Sequence, residues 1–333
     1  MRPAGAARAG RLLLGSLVVV VLLGCLGVTL ARASQTGWGP AVRAASFAPL
    51  ALPAYAVLAL AALVTAARRR RRLRTLAAAV VLLALTGVHA AWVAPQLVGA
   101  PAVVPDGTPR LRLLALNLLG GGADPQRVVT EAERGDADVL VLSEVTPDAL
   151  ARLDAAGAAS RWPHRAGEPG EWVTGTVVLS RVPLGPDRPL PTGFGSWVVD
   201  VRAPGGDLTL LATHPRPPIG DADAWAADHA VVLDAARAGV DVVAGDLNAT
   251  PDHAPLHDYA RVGLRSATEL TGAGWAPTWP AQGRVGVGPL RAPRLVQIDH
   301  VLVGPELAVT DVRRVSVPGT DHSGVLAALA PRG

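Results

Sequence analysis

Residues 241–248 read Asp241-Val242-Val243-Ala244-Gly245-Asp246-Leu247-Asn248. A short run of β-branched and small apolar residues, closed by a glycine and then by an acid and an amide, predicts a buried strand that delivers polar side chains at its end. The pattern recurs on both sides of this stretch. Leu111 to Leu116 ends at Asn117, Val139 to Ser143 ends at Glu144, and Leu208 to Thr213 ends at His214. Val296 to Ile298 ends at Asp299, and Gly319-Thr320-Asp321-His322 precedes a last run, Val325 to Ala330. A single polar residue after a strand is ordinarily a turn former or a helix cap. Asp124-Pro125 has that plain role, as N-cap and first-turn residue of a helix expected to run to about Arg134. Six strand ends that together carry Asn, Glu, His, Asp/Asn, Asp and Asp/His say more. Strands of one sheet bring their ends together, so these side chains are expected to share a cleft in a mixed α/β domain.

Carboxylates with an amide and imidazoles, and no thiol, suit a hard cation such as Mg²⁺ or Mn²⁺. Hydrolysis of a phosphate ester needs such a cation to offset charge, a base to activate water and donors for the phosphoryl oxygens. The cluster holds candidates for all three roles.

Composition divides the chain. From Met1 to Asp106 there are eleven Arg and one acidic residue, whereas from Gly107 to Gly333 there are 20 Arg against 26 acids, a net of minus six with His neutral. The whole-chain charge of +4 and pI near 10.3 therefore misdirect. A basic protein invites a nucleic-acid reading, but here the basic residues lie beside apolar segments and the soluble part is acidic. The one cysteine, Cys25, excludes an intrachain disulfide and any multi-cysteine metal site.

Three apolar stretches, at about 12–30, 47–67 and 76–94, are each near the ~20 residues that a helix needs to cross a bilayer. The first can also be read as a cleaved signal peptide with Arg2, Arg8 and Arg11 as its basic region. Leu22-Leu23-Gly24-Cys25 even resembles a lipoprotein processing site, although Leu23 fits it poorly. Arg68, Arg69, Arg70, Arg71, Arg72 and Arg74 lie between the second and third stretches, and only Arg32 and Arg43 lie between the first and second. The arginine-rich loop is expected in the cytoplasm, which puts the N-terminus inside and everything after Val98 outside. Cleavage of the first stretch leaves that parity unchanged. His89 and Trp92, near the outer end of the third stretch, are expected as interfacial anchors. The resulting organisation is a membrane region over 1–98, a Pro- and Gly-rich linker over 99–108 and a catalytic domain over 109–331.

The ordered pieces Leu116-Asn117, Ser143-Glu144-Val145, Thr213-His214, Gly245-Asp246-Leu247-Asn248, Ile298-Asp299-His300-Val301 and Thr320-Asp321-His322-Ser323 resemble the endonuclease/exonuclease/phosphatase superfamily. That deoxyribonuclease I-like group includes AP endonucleases, neutral sphingomyelinases and inositol polyphosphate 5-phosphatases. The resemblance covers about residues 109–331 and implies a four-layered α/β sandwich, two mixed sheets face to face with helices outside and the active site at one edge. It implies that Glu144 binds the divalent cation, Mg²⁺ or Mn²⁺, with Asn117 beside it contacting metal or phosphate and Asp321 as a further ligand to metal or water. Asp246 and Asn248 would position the attacking water and the phosphate, and Asp299 would orient His322. His214 would donate to a phosphoryl oxygen or protonate the leaving group, and either Asp246 or His322 would take the water's proton.

His214 stands where AP endonucleases commonly have Tyr, which disfavours abasic-site repair. The stretch from Thr213 to Pro218, with Arg216, and that from Trp275 to Arg294, with Trp279, Arg284, Arg291 and Arg294, are candidate rim elements. The function expected is a divalent-metal-dependent phosphoesterase, multi-pass in the cell membrane and facing outward, acting on a lipid headgroup, wall phosphate, nucleotide or nucleic acid. An extracellular nuclease of the same fold and a non-catalytic binding protein that retains it are the alternatives. No feature points to an obligate protein partner.

Overall fold

The computed structural model describes residues 4–68, 72–281, 286–287 and 290–332. Arg2, Arg69, Arg70, Arg71 and Arg284 lie outside the described residues, as do the side chains of Arg11, Arg72 and Arg291. The chain divides into two compact units, Met1–Ala94 and Pro95–Gly333.

The first unit holds α1 (Ala4–Ser34), α2 (Gly39–Ala45), α3 (Ala48–Arg68) and α4 (Arg72–Val93). Helices α1, α3 and α4 carry the three apolar stretches, and each is long and apolar enough to cross a membrane. Sequence reading did not anticipate α2. His89 departs from the expected interfacial role, since it is fully buried with Nε2 2.9 Å from Thr29 Oγ1 and Nδ1 2.9 Å from the Ala48 carbonyl. The Thr29 hydroxyl also lies 2.9 Å from the Tyr55 hydroxyl, so α1, α3 and α4 share one polar knot. Polar groups in apolar surroundings must find partners within the bundle, which a reading of one helix at a time cannot show.

The second unit begins with α5 (Pro95–Val98), β1 (Leu111–Asn117), α6 (Pro125–Arg134), β2 (Val139–Ser143), α7 (Pro147–Ala155) and α8 (Ala158–Arg161). There follow β3 (His164–Glu168), β4 (Thr176–Ser180), β5 (Leu184–Leu190), β6 (Ser196–Val201), β7 (Leu208–Thr213) and α9 (Ala222–Arg237). Next come β8 (Val242–Asp246), α10 (Ala254–Arg261), β9 (Arg265–Ser266), α11 (Ala267–Leu270), β10 (Gly286–Val287) and β11 (Leu290–Arg291). The last three strands are β12 (Asp299–Val303), β13 (Leu307–Ser316) and β14 (Ser323–Pro331). Helix α6 starts as its sequence predicts, with the Asp124 carboxylate accepting from the Arg127 amide and Pro125 in the first turn.

Two six-stranded mixed sheets result, in the orders β13-β14-β1-β2-β4-β3 and β5-β6-β7-β8-β12-β9. Each is built the same way around its centre. A parallel pair, β1–β2 in one and β7–β8 in the other, is flanked by an antiparallel strand, β14 against β1 and β12 against β8. The central strands are apolar on both faces because both are covered. In β1, Leu111, Leu113 and Ala115 join a core with Val199, Leu210, Ala212 and Val301 of the other sheet. Leu114 and Leu116 point the opposite way and pack with Val128, Val129 and Leu153 of the helix layer, as the two-residue period of a strand requires. The layers are those of the expected α/β sandwich.

One expected strand is displaced. The run Val296 to Ile298 precedes the strand instead of forming it, and β12 starts at Asp299. The cause lies in the pairing: β12 runs antiparallel to β8 with Asp299 opposite Asp246, so the start of one strand lies where the other ends. The Pro-rich segment after Pro95 is also tied to its unit, since the Gln96 carbonyl accepts from Gly274 N and Ala102 N donates to the Val309 carbonyl.

Candidate active site

The site forms where four strands end and two begin. Strands β1, β2, β7 and β8 deliver Asn117, Glu144, His214 and Asp246, while Asp299 opens β12 and Asp321-His322 lead into β14. Register makes the meeting compulsory, with Asn117 opposite Ser143 across the first sheet and Asp299 opposite Asp246 across the second.

Asn117, fully buried, ties the two sheets together through its amide. Its Nδ2 donates to Glu144 Oε1 and to Asp246 Oδ2, both at 2.9 Å, and its Oδ1 accepts from Leu119 N at 2.8 Å. The other Glu144 oxygen accepts from Gly120 N at 2.7 Å. Glu144 adopts φ +57 and Asn248 φ +48, a conformation uncommon outside glycine that clusters at functional sites. Gly245, at φ +143, precedes Asp246, and a Cβ there would overlap the Thr213 carbonyl oxygen. Only glycine lets β8 come this close to β7.

Asp246 Oδ2 is the hub. The Nε2 atoms of His214 and His322 lie 3.6 and 3.7 Å from it, and His214 Nε2 lies 4.0 Å from Glu144 Oε1. His214 turns Nδ1 to the Val173 carbonyl at 3.2 Å, and its ring packs on Phe194 at 5.1 Å between centroids. His322 turns Nδ1 to Asp299, 2.9 Å from Oδ2 and 3.2 Å from Oδ1. Its Nε2 also faces Asp321 Oδ1 at 3.8 Å. Burial works against charge on His322, but Asp299, Asp246 and Asp321 outweigh it and push the imidazole up to about 10. Burial likewise pushes Asp299 above the usual carboxylate range, opposed by the His322 charge.

Asp321 gives Oδ2 to the Trp279 indole at 2.9 Å, while its Oδ1 is buried without a hydrogen-bond partner. Asp246, Asp299 and His322 form a buried group whose potential ligand atoms lie within 4.8 Å of one another, a geometry able to hold a metal ion. Asn248 completes the cluster: its backbone N–H donates to Asp246 Oδ1 at 2.9 Å and its Nδ2 to the Pro215 carbonyl at 3.0 Å.

All eight residues singled out for the site therefore converge. The rim residues divide differently. Arg216 is held by Asp228, which accepts from its backbone N–H, Nε and Nη2 at 2.6–2.9 Å, so this arginine clamps its loop to α9. Arg294 donates to the Ser323 and Ser316 hydroxyls, and Trp279 orients Asp321. Sequence reading gave no role to Thr320, whose hydroxyl donates to the Asn117 carbonyl at 2.8 Å and accepts from His322 N at 3.1 Å. Its position two residues before His322 was the available signal, but nothing in the order of residues placed it against β1.

Among solved structures the catalytic unit is similar to an endonuclease/exonuclease/phosphatase from Beutenbergia cavernae, with 24% identity, TM-score 0.53, and 68% of this chain and 72% of that one covered. It is similar also to D. rerio TDP2 complexed with a single-strand DNA product, with 18% identity, TM-score 0.55, and 66% and 98% covered. A third is truncated Caenorhabditis elegans TDP2, with 19% identity, TM-score 0.52, and 66% and 98% covered. At such identities the likeness is one of fold. A comparison with curated protein sequences gave no match. The profile of the endonuclease/exonuclease/phosphatase family matches residues 114–322, from β1 to His322. With the strand-end cluster and the paired mixed sheets, that match shows that the chain belongs to the endonuclease/exonuclease/phosphatase family of phosphoester hydrolases.

Proposed function

We propose that the protein is a divalent-metal-dependent phosphoesterase in which activated water attacks phosphorus, anchored in the membrane by α1, α3 and α4 with its catalytic unit on the outer side. The observation that carries the chemistry is the charge at the site. Glu144, Asp246, Asp299 and Asp321 converge, and among the described residues no arginine is bonded or ion-paired to any of them. Their ion-pair contacts among the described residues are to His214 and His322, which four carboxylates outnumber, so negative charge is left in excess at a cost, and oxygen-rich donor sets of this kind suit Mg²⁺ or Mn²⁺. Asp321 Oδ1, which accepts no hydrogen bond, fits the same reading. Glu144, Asn117 through Oδ1 and Asp321 are the residues assigned to hold the ion. When bound, it supplies charge for the phosphoryl oxygens and polarises the attacking water. A cation within the group of Asp246, Asp299 and His322 would compete with the His322–Asp299 hydrogen bond, so those three are assigned to handling the proton.

Asp299 fixes the His322 ring and leaves Nε2 facing Asp246 Oδ2; with His322 pushed up to about 10 and so already carrying both ring protons, it orients the attacking water, whose proton would pass to Asp246. His214, with Nδ1 on the Val173 carbonyl, presents Nε2 to the same space, where a phosphoryl oxygen or the leaving group would meet it. Asn248 retains one amide hydrogen for the phosphate, the other being taken by Pro215. The acidic balance after Gly107 supports a small or membrane-borne phosphoester, such as a lipid headgroup, wall phosphate or nucleotide, over long DNA.

The test is a screen of the purified chain in detergent with Mg²⁺ or Mn²⁺ against phospholipids, nucleotides, sugar phosphates, DNA and bis-p-nitrophenyl phosphate. Activity is expected to vanish with a chelator and to fall about 10²–10⁴-fold in His322→Ala. Equal activity of wild type and His322→Ala, or activity indifferent to chelation, sinks the proposal. DNA cleavage with a steep salt dependence would favour the nuclease alternative.

A further inference from the structure

The turn that carries Asp246 and Asn248 is held from behind by two buried rings. The Asn248 carbonyl accepts from Trp225 Nε1 at 3.0 Å, and the next carbonyl, Ala249, lies 2.9 Å from His300 Nε2. Trp225 belongs to α9 and is 5% exposed; His300 belongs to β12 and is fully buried. Among the described residues neither carbonyl has a backbone donor.

Both rings are fixed in place. Trp225 meets His229 and His253 edge-on, at 5.0 and 5.3 Å between centroids. His300 Nε2 faces the Ala249 carbonyl, which can only accept, so a hydrogen sits on Nε2 and is donated there, while Gln297 lies beside Nδ1. In front, the turn is held by Asn248 N on Asp246 Oδ1 and by Asn248 Nδ2 on Pro215. Asn248 is thus kept at φ +48 by bonds from both sides, which is how a sparsely populated conformation persists.

We propose that Trp225 and His300 are positioning residues, which hold the Asp246–Asn248 turn in its working shape through ring N–H bonds to successive carbonyls. The assignment rests on the reading of Asp246 and Asn248 as the residues that place water and phosphate. Two donors from separate elements fix both the position and the tilt of the turn, and small displacements of positioned groups are costly to rate.

The experiment uses the full-length chain in detergent. Trp225→Phe keeps most of the ring and removes the N–H; His300→Leu removes its donor, and His300→Gln restores one. With Mn²⁺ and bis-p-nitrophenyl phosphate, Trp225→Phe and His300→Leu are expected to lower kcat about 10- to 100-fold with KM within about twofold. His300→Gln recovers most of the loss. Hydrogen exchange supplies a readout independent of turnover: amides of residues 246–250 exchange at least about tenfold faster in Trp225→Phe, while those of β1 and β2 do not change. Unchanged exchange overturns the proposal, as does wild-type kcat in both single variants. If the wild type hydrolyses none of the phosphoesters, the functional reading fails on that result, and exchange alone decides whether the rings hold the turn.

Discussion

Gly245 shows how narrow the tolerance is at a single position. At φ +143, with the Thr213 carbonyl oxygen where a side chain would start, an alanine must either distort β8 or part it from β7. Gly245→Ala is expected to cost at least about 2 kcal/mol and to abolish activity together with the loss of stability. A thermal midpoint equal to that of wild type would show the position to be permissive. The residue types of the site were legible without a structure, because Asn117, Glu144, His214, Asp246, Asn248, Asp299, Asp321 and His322 each stand at a strand boundary. Their partners were not legible. Trp279 donating to Asp321, or Thr320 bridging Asn117 and His322, joins residues from different elements, and such pairs leave no periodic trace.

Among the elements, α9 does more than cover a sheet. Its Asp228 is buried and accepts from Gly193 N as well as from three groups of Arg216. Burial alone would raise its carboxyl, but the bonds to Arg216 and Gly193 prevail and hold it below the usual carboxylate range. Arg216→Ala leaves that charge unpaired, and a loss of roughly 3 kcal/mol is expected, near the low end for broken buried pairs because Arg216 is 39% exposed. A shift in thermal midpoint of less than a degree would refute the clamp. The next residue, His229, is buried beside the Tyr259 hydroxyl at 2.7 Å, and burial pulls it down to about 3. The unfolded chain takes up a proton on this residue below about pH 6.5 and the folded one does not until about 3, so stability falls as pH drops through that interval. His229→Leu is expected to flatten the pH dependence of the thermal midpoint between pH 6.5 and 4.5. An unaltered slope would mean that other groups govern acid lability.

At the scale of the whole molecule, the three long apolar helices and the skew of arginine towards the loop after α3 predict a catalytic unit outside the cytoplasm. A reporter fused after Gly333 that works only when exported is expected to be active, and a fluorescent protein that works only in the cytoplasm is expected to be dark; the reverse pattern would overturn the orientation. The positions of the long apolar helices, the mixed α/β class and the start of α6 were readable because each follows from local regularities, namely apolar length, short apolar runs and cap chemistry, whereas the four-layered sandwich was implied by the family resemblance. The strand over Val296 to Ile298 was misplaced by such local reading, since an apolar run before Asp299 looks the same whether it is a strand or the approach to one. Only the antiparallel pairing of β12 with β8 decided it. By itself the sequence determined the long apolar helices, the central strands and which polar side chains stand at their ends, because backbone propensity and burial pattern act over a few residues. Tertiary structure alone decided that Asp246 Oδ2 lies between two imidazoles and that Arg216 is committed to Asp228. Those contacts join residues far apart in the chain, and sheet register, not local preference, fixes which of them meet.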